Sequence, residues 1–347
     1  MATIADVAHA AGVSISTVSY VMSGKRTISQ ETRSRVEQAI ADLAYSPHAS
    51  ARSLASRATN VIGLQAPLRA GVDVHVVMQI VAGVVREARA HQYDILLLTS
   101  DDAAGLERAA RASAVDALLV MDIESHDPRL ASLSQLSTPS VLIGLPDGAE
   151  AVSCVDFDFE AAGHLAAQRL AALGHTRVAL LGAPAEVLER HTSYAERLTR
   201  GFLAGCTAHG IVGTVHATPS SVASVDVVQQ VAADADITAF LVHNEAALPF
   251  VMARLARLDR ERGTRTDVIA LAPLDLAQSV AGLTDTIDIP AEELGAAGAR
   301  TVLALLDGAE TARVQLLAPR LASGAHAAGA AAAGVSASGA AAAEVPA

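Results

Sequence analysis

Aromatic residues make up only 3% of the 347-residue chain, and tryptophan is absent. Hydrophobic residues still reach 51%, so a large core has to be built from Ala, Val and Leu. Cysteine is nearly missing. Cys154 and Cys206 form no metal-ligand spacing, and a reduced, cytoplasmic protein is the simpler reading, with a disulfide left open. No run approaches the ~20 apolar residues of a membrane-spanning helix, and no apolar leader core opens the chain, so no membrane partner is expected. There is no G-x-G-x-x-G after a strand and no G-x-x-x-x-G-K-[ST] loop, which removes the support for dinucleotide and P-loop chemistry. The twelve histidines are scattered. His164 and His175 have no Cys or His at metal spacing, and Asp156-x-Asp158-x-Glu160 has no accompanying His ligand. The expectation is therefore no enzyme, no cofactor and no metal.

Lysine occurs once, as Lys25, and it falls in the most informative segment. Residues 4–23, IADVAHAAGVSISTVSYVMS, follow a helix-turn-helix pattern. Gly12 stands where a tight turn needs a residue tolerant of positive φ. Ile4, Val7, Ala8 and Ala11 share one face of the first helix, and Val13, Val18 and Val21 line the inner side of the second. Ala8 is small enough for a close crossing. Ser14 can cap the second helix by accepting from a free backbone N–H. Ile15, Ser16, Ser19 and Tyr20 are then free to face a major groove, which admits one helix. By spacing alone an ordinary helical hairpin stays open. Ser29 opens a third helix over 30–43, with Val36, Ile40 and Leu43 expected to close a three-helix core.

Charge is divided unevenly. The formal net charge is −12, yet residues 1–60 hold six basic against four acidic residues, a balance of +2; the remainder holds nineteen against thirty-three, or −14. Such a division directs phosphate contacts to the amino-terminal head. After Tyr45-Ser46-Pro47, residues 48–59 are long enough for about two helical turns, too short to persist alone in water. From Val61 on, short apolar runs alternate with helical patterns: VIGLQAP, DILLLT, VDALLVM, SVLIG, Val178–Gly182, Ala239–Val242 and Asp267–Leu271 read as buried strands. Continuous apolar strands separated by helices indicate parallel sheets covered on both faces, either one large sheet or two smaller ones. Residues 326–347 are nearly all Ala, Gly and Ser, have no apolar stripe or leucine heptads, and are expected to form a disordered tail.

At these residues the chain resembles the lactose-repressor/galactose-repressor (LacI/GalR) family of bacterial transcription regulators. TIADVAHAAGVSISTVSYVMSGKRTISQETRSRV and YSPHASARSLA carry the resemblance most specifically. VDALLVM, VDFDFEAAGHLA, LGHTRVALLG, HNEAAL and LTDTIDIPAEELG follow in the family's order. The resemblance implies an α/β protein with an N-terminal all-α helix-turn-helix head (1–46), a hinge helix or linker (47–59) and a two-lobed periplasmic-binding-protein-like core with parallel sheets (60–325). The lobes would comprise about 60–156 with 288–318, and about 157–287 with 319–325, the chain crossing near Asp156, Ile287 and Pro319. It further implies a homodimer on a near-palindromic double-stranded DNA operator, repression as the expected mode, and a small-molecule effector of open identity, a sugar among the candidates.

The resemblance places Ile15, Ser16 and Tyr20 at base-reading positions. Ile15 can make only apolar contact, which favours a thymine methyl, and Ser16 discriminates weakly. Tyr20 stands where many relatives carry arginine, so their base preference does not transfer. Ser14, Thr17, Ser19, Lys25 and Thr32 are read as phosphate contacts, against an alternative as solvated helix surface. Ala51, Arg52 and Leu54 fall on the hinge segment. Leu54 resembles the family's minor-groove wedge, against a plain linker role. The effector residues implied are Asp158, Arg197, Asn244, Glu245 and Asp275. Asp158 serves equally well as a helix N-cap. Arg197 lies four residues before Gly201 rather than the family's three, Leu198 taking the usual place. Glu245 stands where Asp is usual, and Ala272-Pro273-Leu274-Asp275 replaces a Gly-aromatic-Asp-Asp turn. Phe159, Tyr194, Phe240 and Phe250 are stacking candidates, each also readable as core.

Overall fold

The structure, a computed structural model, describes residues 2–23, 26–45, 58–66 and 68–323. Lys25, Ala51, Arg52, Leu54 and the tail at 326–347 lie outside the described residues.

The head is three helices, α1 (Ile4–Ala11), α2 (Ile15–Ser23) and α3 (Gln30–Asp42). Thr3 and Asp6 form a reciprocal capping box at the start of α1, which satisfies backbone donors that a helix start leaves free. Gly12 closes α1 at φ 64°, a left-handed conformation that glycine reaches without Cβ strain. Ser14 Oγ accepts from Thr17 N at 3.1 Å, and Ser29 accepts from Thr32 N at 3.3 Å. Val7, Ala8, Ala11, Val18, Val21, Val36, Ala39 and Tyr45 form the core of the head. One expectation fails here. Leu43 lies at the carboxyl end of α3 and is exposed, and Tyr45, beyond the helix, closes the core instead. A helical period cannot anticipate a residue that returns from outside the helix.

Beyond residue 58 the chain builds two six-stranded sheets. The first runs β2 (Asp94–Leu98), β1 (Val61–Gln65), β3 (Ala117–Val120), β4 (Ser140–Ile143), β5 (Ser153–Phe157) and β11 (Val314–Leu317), all parallel. The second runs β7 (Val212–Ala217), β6 (Arg177–Gly182), β8 (Ala239–Val242), β9 (Asp267–Ala272) and β10 (Asp285–Asp288), parallel, closed by antiparallel β12 (Leu321–Ser323). The central strands are buried along their length because helices cover both faces, which is why they read as unbroken apolar runs. The chain passes between the sheets three times: after β5, after β10, and between β11 and β12.

Each lobe is locked by one close helix pair. In the first, α4 (Val74–Ala90) crosses α13 (Ala291–Leu306), with Gly83 against Glu292 and Gly295 against Ile80. In the second, α7 (Phe159–Ala172) crosses α9 (Ser193–Ala208), with Gly163 against Leu198 and Phe202, and Gly201 against Glu160. A methyl group at Gly83 or Gly295 would stand 1.9 Å from a carbonyl oxygen of the facing helix, so only glycine permits the observed approach.

Candidate functional site

Between the lobes lies a cavity enclosing about 850 Å³ of non-atom space, solvent at its mouth included. Carboxyl ends of strands supply much of its wall: Met121–Ile123 after β3, Gly144 after β4, Asp156 at the end of β5 and His243 after β8. That is where open parallel sheets place ligands. The floor is apolar, formed by Val76, Val77 and Ile80 of α4 with Ile143, Ile289 and Leu294. On one side stands a ring cluster. Phe159 lies 5.4 Å from Tyr194 and 5.6 Å from His243, and Tyr194 meets His243 edge-on at 5.5 Å. Of the four stacking candidates, Phe159 and Tyr194 line the cavity, while Phe240 is core and Phe250 is exposed on the surface.

The five effector candidates do not share one site: Arg197 pairs with Asp158, Asn244 and Glu245 line one small cavity, and Asp275 stands apart. Arg197 is buried and binds Asp156 at 2.6 Å and Asp158 at 3.3 Å, outside the main cavity. Asp158 also caps α7, accepting from Ala161 N at 3.0 Å through the same Oδ1 that faces Arg197, so it fills the N-cap role. Asn244 donates to the Thr218 carbonyl and accepts from Ala247 N, holding the loop before α11 (Leu248–Arg262). Asp275 is exposed, and accepts from His75 Nε2 and Gln79 Nε2, both at 2.9 Å. Since His75 and Gln79 belong to α4 of the first lobe, this contact spans the two lobes. Glu245 alone of the five lines the main cavity. Sequence reasoning passed over Asp73 and His243, which also face it. For His243 a signal existed: it follows an apolar strand directly and precedes Asn244-Glu245.

Burial dominates the acid–base character of the wall. It pushes Glu245 up to about 7, with the Asp73 carboxylate adding to the rise. It pushes Asp156 up to about 7 as well, opposed chiefly by the Arg197 guanidinium. It lowers His243 to about 4, so the imidazole is neutral near pH 7, and raises the Tyr194 phenol. A carboxylate raised from 4.5 to about 7 contributes stability that is fully present below 4.5 and is lost as pH climbs through 7. Glu245→Gln is thus expected to leave stability at pH 4.5 nearly unchanged and to raise it by about 2 kcal/mol at pH 8. Urea melts at the two pH values test this; equal midpoints for variant and parent at pH 8 would contradict it.

The base-reading candidates stand on α2. Ile15, Ser16 and Tyr20 are exposed, and the Arg26 guanidinium lies 5.6 Å over the Tyr20 ring. Ser14 Oγ is within 2.8 Å of both Ser16 Oγ and Thr17 Oγ1. Ser19 is partly buried, and Thr32 accepts from the Ser29 hydroxyl. Among the described residues no helix is long and apolar enough to cross a membrane, and no cluster of His, Cys, Asp and Glu is arranged to hold a metal.

Fold and cleft together define a two-lobed binding core of the periplasmic-binding-protein type behind a helix-turn-helix head. Comparison with known proteins agrees. The pattern of bacterial regulatory proteins of the lacI family matches residues 3–48, and a periplasmic binding protein-like domain matches residues 167–325. The chain thus carries a lacI-family helix-turn-helix domain and a periplasmic-binding-protein-like domain. It is 32% identical over 211 residues to the HTH-type transcriptional regulator AglR of Rhizobium meliloti (strain 1021), covering 59% of this chain and 58% of AglR. It is 36% identical over 210 residues to the HTH-type transcriptional repressor PurR of Pectobacterium carotovorum subsp. carotovorum (strain PC1), covering 58% and 59%. The chain thus spans about three fifths of the length of the curated relatives it matches. Among solved structures it superposes on a lac repressor dimer bound to operator and an anti-inducer with TM-score 0.76 and 25% identity, over 92% of this chain and 97% of that one. A CelR–cellobiose complex shares the fold at TM-score 0.60 and 23% identity, over 92% and 98%.

Proposed function

We propose that this protein is a sequence-specific transcriptional regulator, a repressor, that binds a near-palindromic operator as a homodimer and is controlled by a small molecule in the interlobe cleft. The observation that carries the reading is the union, in one chain, of a lacI-family head with a cleft between two α/β lobes. The solved lac repressor dimer was captured on operator DNA, and a dimer's two-fold axis calls for matching half-sites. In this reading Ile15, Ser16 and Tyr20 face base edges. Ser14, Thr17, Ser19, Lys25 and Thr32 fix the register on phosphates. Ala51, Arg52 and Leu54 form the minor-groove element, with Leu54 as the wedge. Nothing in this role calls for catalysis. The cavity wall comes from both lobes, and the Asp275 contacts to His75 and Gln79 also span them. A ligand that prefers one lobe arrangement therefore shifts its population in proportion to its differential affinity.

An apolar face on the first lobe fits the dimer. Val74, Met78 and Val85 of α4 are exposed, as are Leu96 and Leu97 of the edge strand β2. The reading is tested by selecting bound oligonucleotides from a random pool and titrating the winner against scrambled DNA. Leu54→Ala is expected to weaken selected binding by about 2 kcal/mol, roughly thirtyfold, through the lost wedge, while scrambled binding holds. Equal losses on both DNAs would remove the wedge role, and a protein indifferent to sequence would remove the function.

A further inference from the structure

The wall of the cavity carries few unused polar groups. Asp156 is spent on Arg197, and the Ser193 hydroxyl donates to the Leu145 carbonyl. Asp122 sits between Arg69 at 3.3 Å and Arg190 at 3.8 Å. Asp73 caps α4 through one carboxylate oxygen, accepting from His75 N and Val76 N. Two groups on the second lobe remain. The Nδ1 of His243 has no hydrogen-bond partner, although the residue is only 5% exposed and its ring faces the cavity. Glu245 has no ion-pair partner among the described residues.

These groups share one end of the chamber. Asp73, Tyr194, His243 and Glu245 all line both the large apolar cavity and a smaller polar one beside it. Asp73 comes from the first lobe and Glu245 from the second, so two carboxylates without a facing cation confront each other across the cleft. The rings of Phe159 and Tyr194 stand next to them. A sugar presents a hydroxyl on nearly every carbon. Buried in this chamber, most of those hydroxyls would meet Val, Ile and Leu and lose their hydrogen bonds to water without replacement. A cation against paired carboxylates and aromatic faces meets the opposite situation.

We propose that the cleft takes an organic cation, with an ammonium-type head between Asp73 and Glu245 beside Tyr194 and His243, and an apolar body against Val76, Ile80 and Ile289. The claim rests on reading the cleft as the effector site and names the chemistry of its ligand. Because the head is shared between lobes, the cation also neutralises the repulsion that resists their approach, which makes closure the bound state.

The test is calorimetric titration of the full chain with phenethylammonium, its neutral counterpart 2-phenylethanol, the anion 3-phenylpropanoate, and cellobiose. Phenethylammonium is expected to bind about tenfold or more tightly than 2-phenylethanol, with the anion weaker than both and cellobiose without measurable heat. Glu245→Gln is expected to bring the ammonium and the alcohol to within about twofold of each other. Circular dichroism checks that this variant is folded, and its retained affinity for the alcohol checks that the chamber is intact. Equal affinity of amine and alcohol in the parent, tighter binding of the anion or of cellobiose, no binding by any of the four, or a preference untouched by Glu245→Gln would each overturn the proposal. Retention of the selected oligonucleotide is measured on the same preparation. DNA selectivity without ammonium preference removes only the ligand class. Ammonium preference without DNA selectivity removes the regulator reading and leaves the ligand class standing.

Discussion

Arg197→Leu is expected to destabilise the core by about 3–5 kcal/mol at pH 8, one of the largest effects of any single change in this chain. The guanidinium is 7% exposed and bonds Asp156, itself 5% exposed, at 2.6 Å. Its second contact, Asp158, lies at 3.3 Å. Leucine fills much of the space but leaves the Asp156 carboxylate buried with no cation. The penalty arises from that orphaned charge more than from the lost pair. Two consequences separate this cause from a packing defect. Asp156→Asn added to Arg197→Leu should recover a large part of the loss, because it removes the orphan. The loss should also shrink at pH 5, because burial already lifts Asp156 to about 7 in the parent and deletion of the cation lifts it further, so the acid protonates instead of standing charged. Urea unfolding of the parent, the single variant and the double variant at pH 5 and pH 8 reads both. A loss below about 1 kcal/mol at pH 8, or no rescue by Asp156→Asn, would show that the pair is not what holds this junction.

Gly295→Ala is expected to destabilise by about 2 kcal/mol, opposite in sign to what helix propensity alone forecasts. Propensity favours alanine over glycine in a helix interior by about 1 kcal/mol. Against that, the new methyl group would sit 1.9 Å from the Ile80 carbonyl oxygen, a backbone atom that yields only if α4 and α13 separate. Overpacking of this kind costs about 1–3 kcal/mol and at times more. Gly83→Ala meets the same obstacle from the other helix, at 1.9 Å from the Glu292 carbonyl. Because both changes force the same separation, their combination should cost less than the sum of the two. Thermal melts of the two single variants and the double variant test this. A Gly295→Ala variant as stable as the parent would mean that the helices slide apart freely, and the close crossing would lose its standing as the lock of the first lobe.

The α/β alternation was legible because each buried strand and covering helix has its own local period. The strands at Ala239–Val242 and Asp267–Leu271 stand where the residue pattern put them, and Gly12 and Ser14 act as turn and cap by local chemistry that needs no neighbour. The elements that escaped notice are of another kind. β5 and β10 are buried, but Asp156 in one and Asp285, Thr286 and Asp288 in the other interrupt the apolar run; β7 is half exposed at a sheet edge, and β11 and β12 are short. Their residues belong to strands only because a partner strand is there to receive their hydrogen bonds. Tyr45 replaced Leu43 in the core of the head for the same reason: burial was decided by where the chain returned, not by the helix it had left.

The sequence by itself determined the class of this protein: a helix-turn-helix head, then a body of buried parallel strands and covering helices built from small aliphatic residues. Only the tertiary structure decided that the strands divide into two sheets. It also drew Arg197 and Asp158 together, set Asp275 against His75 of the other lobe, and placed Asp73 and Glu245, 172 positions apart, around one cavity. The physical reason is range. Caps, turns and periods depend on residues a few positions apart, whereas a cleft is made by the crossings that bring distant strand ends face to face, and its charge balance depends on which ion pairs those crossings happen to close.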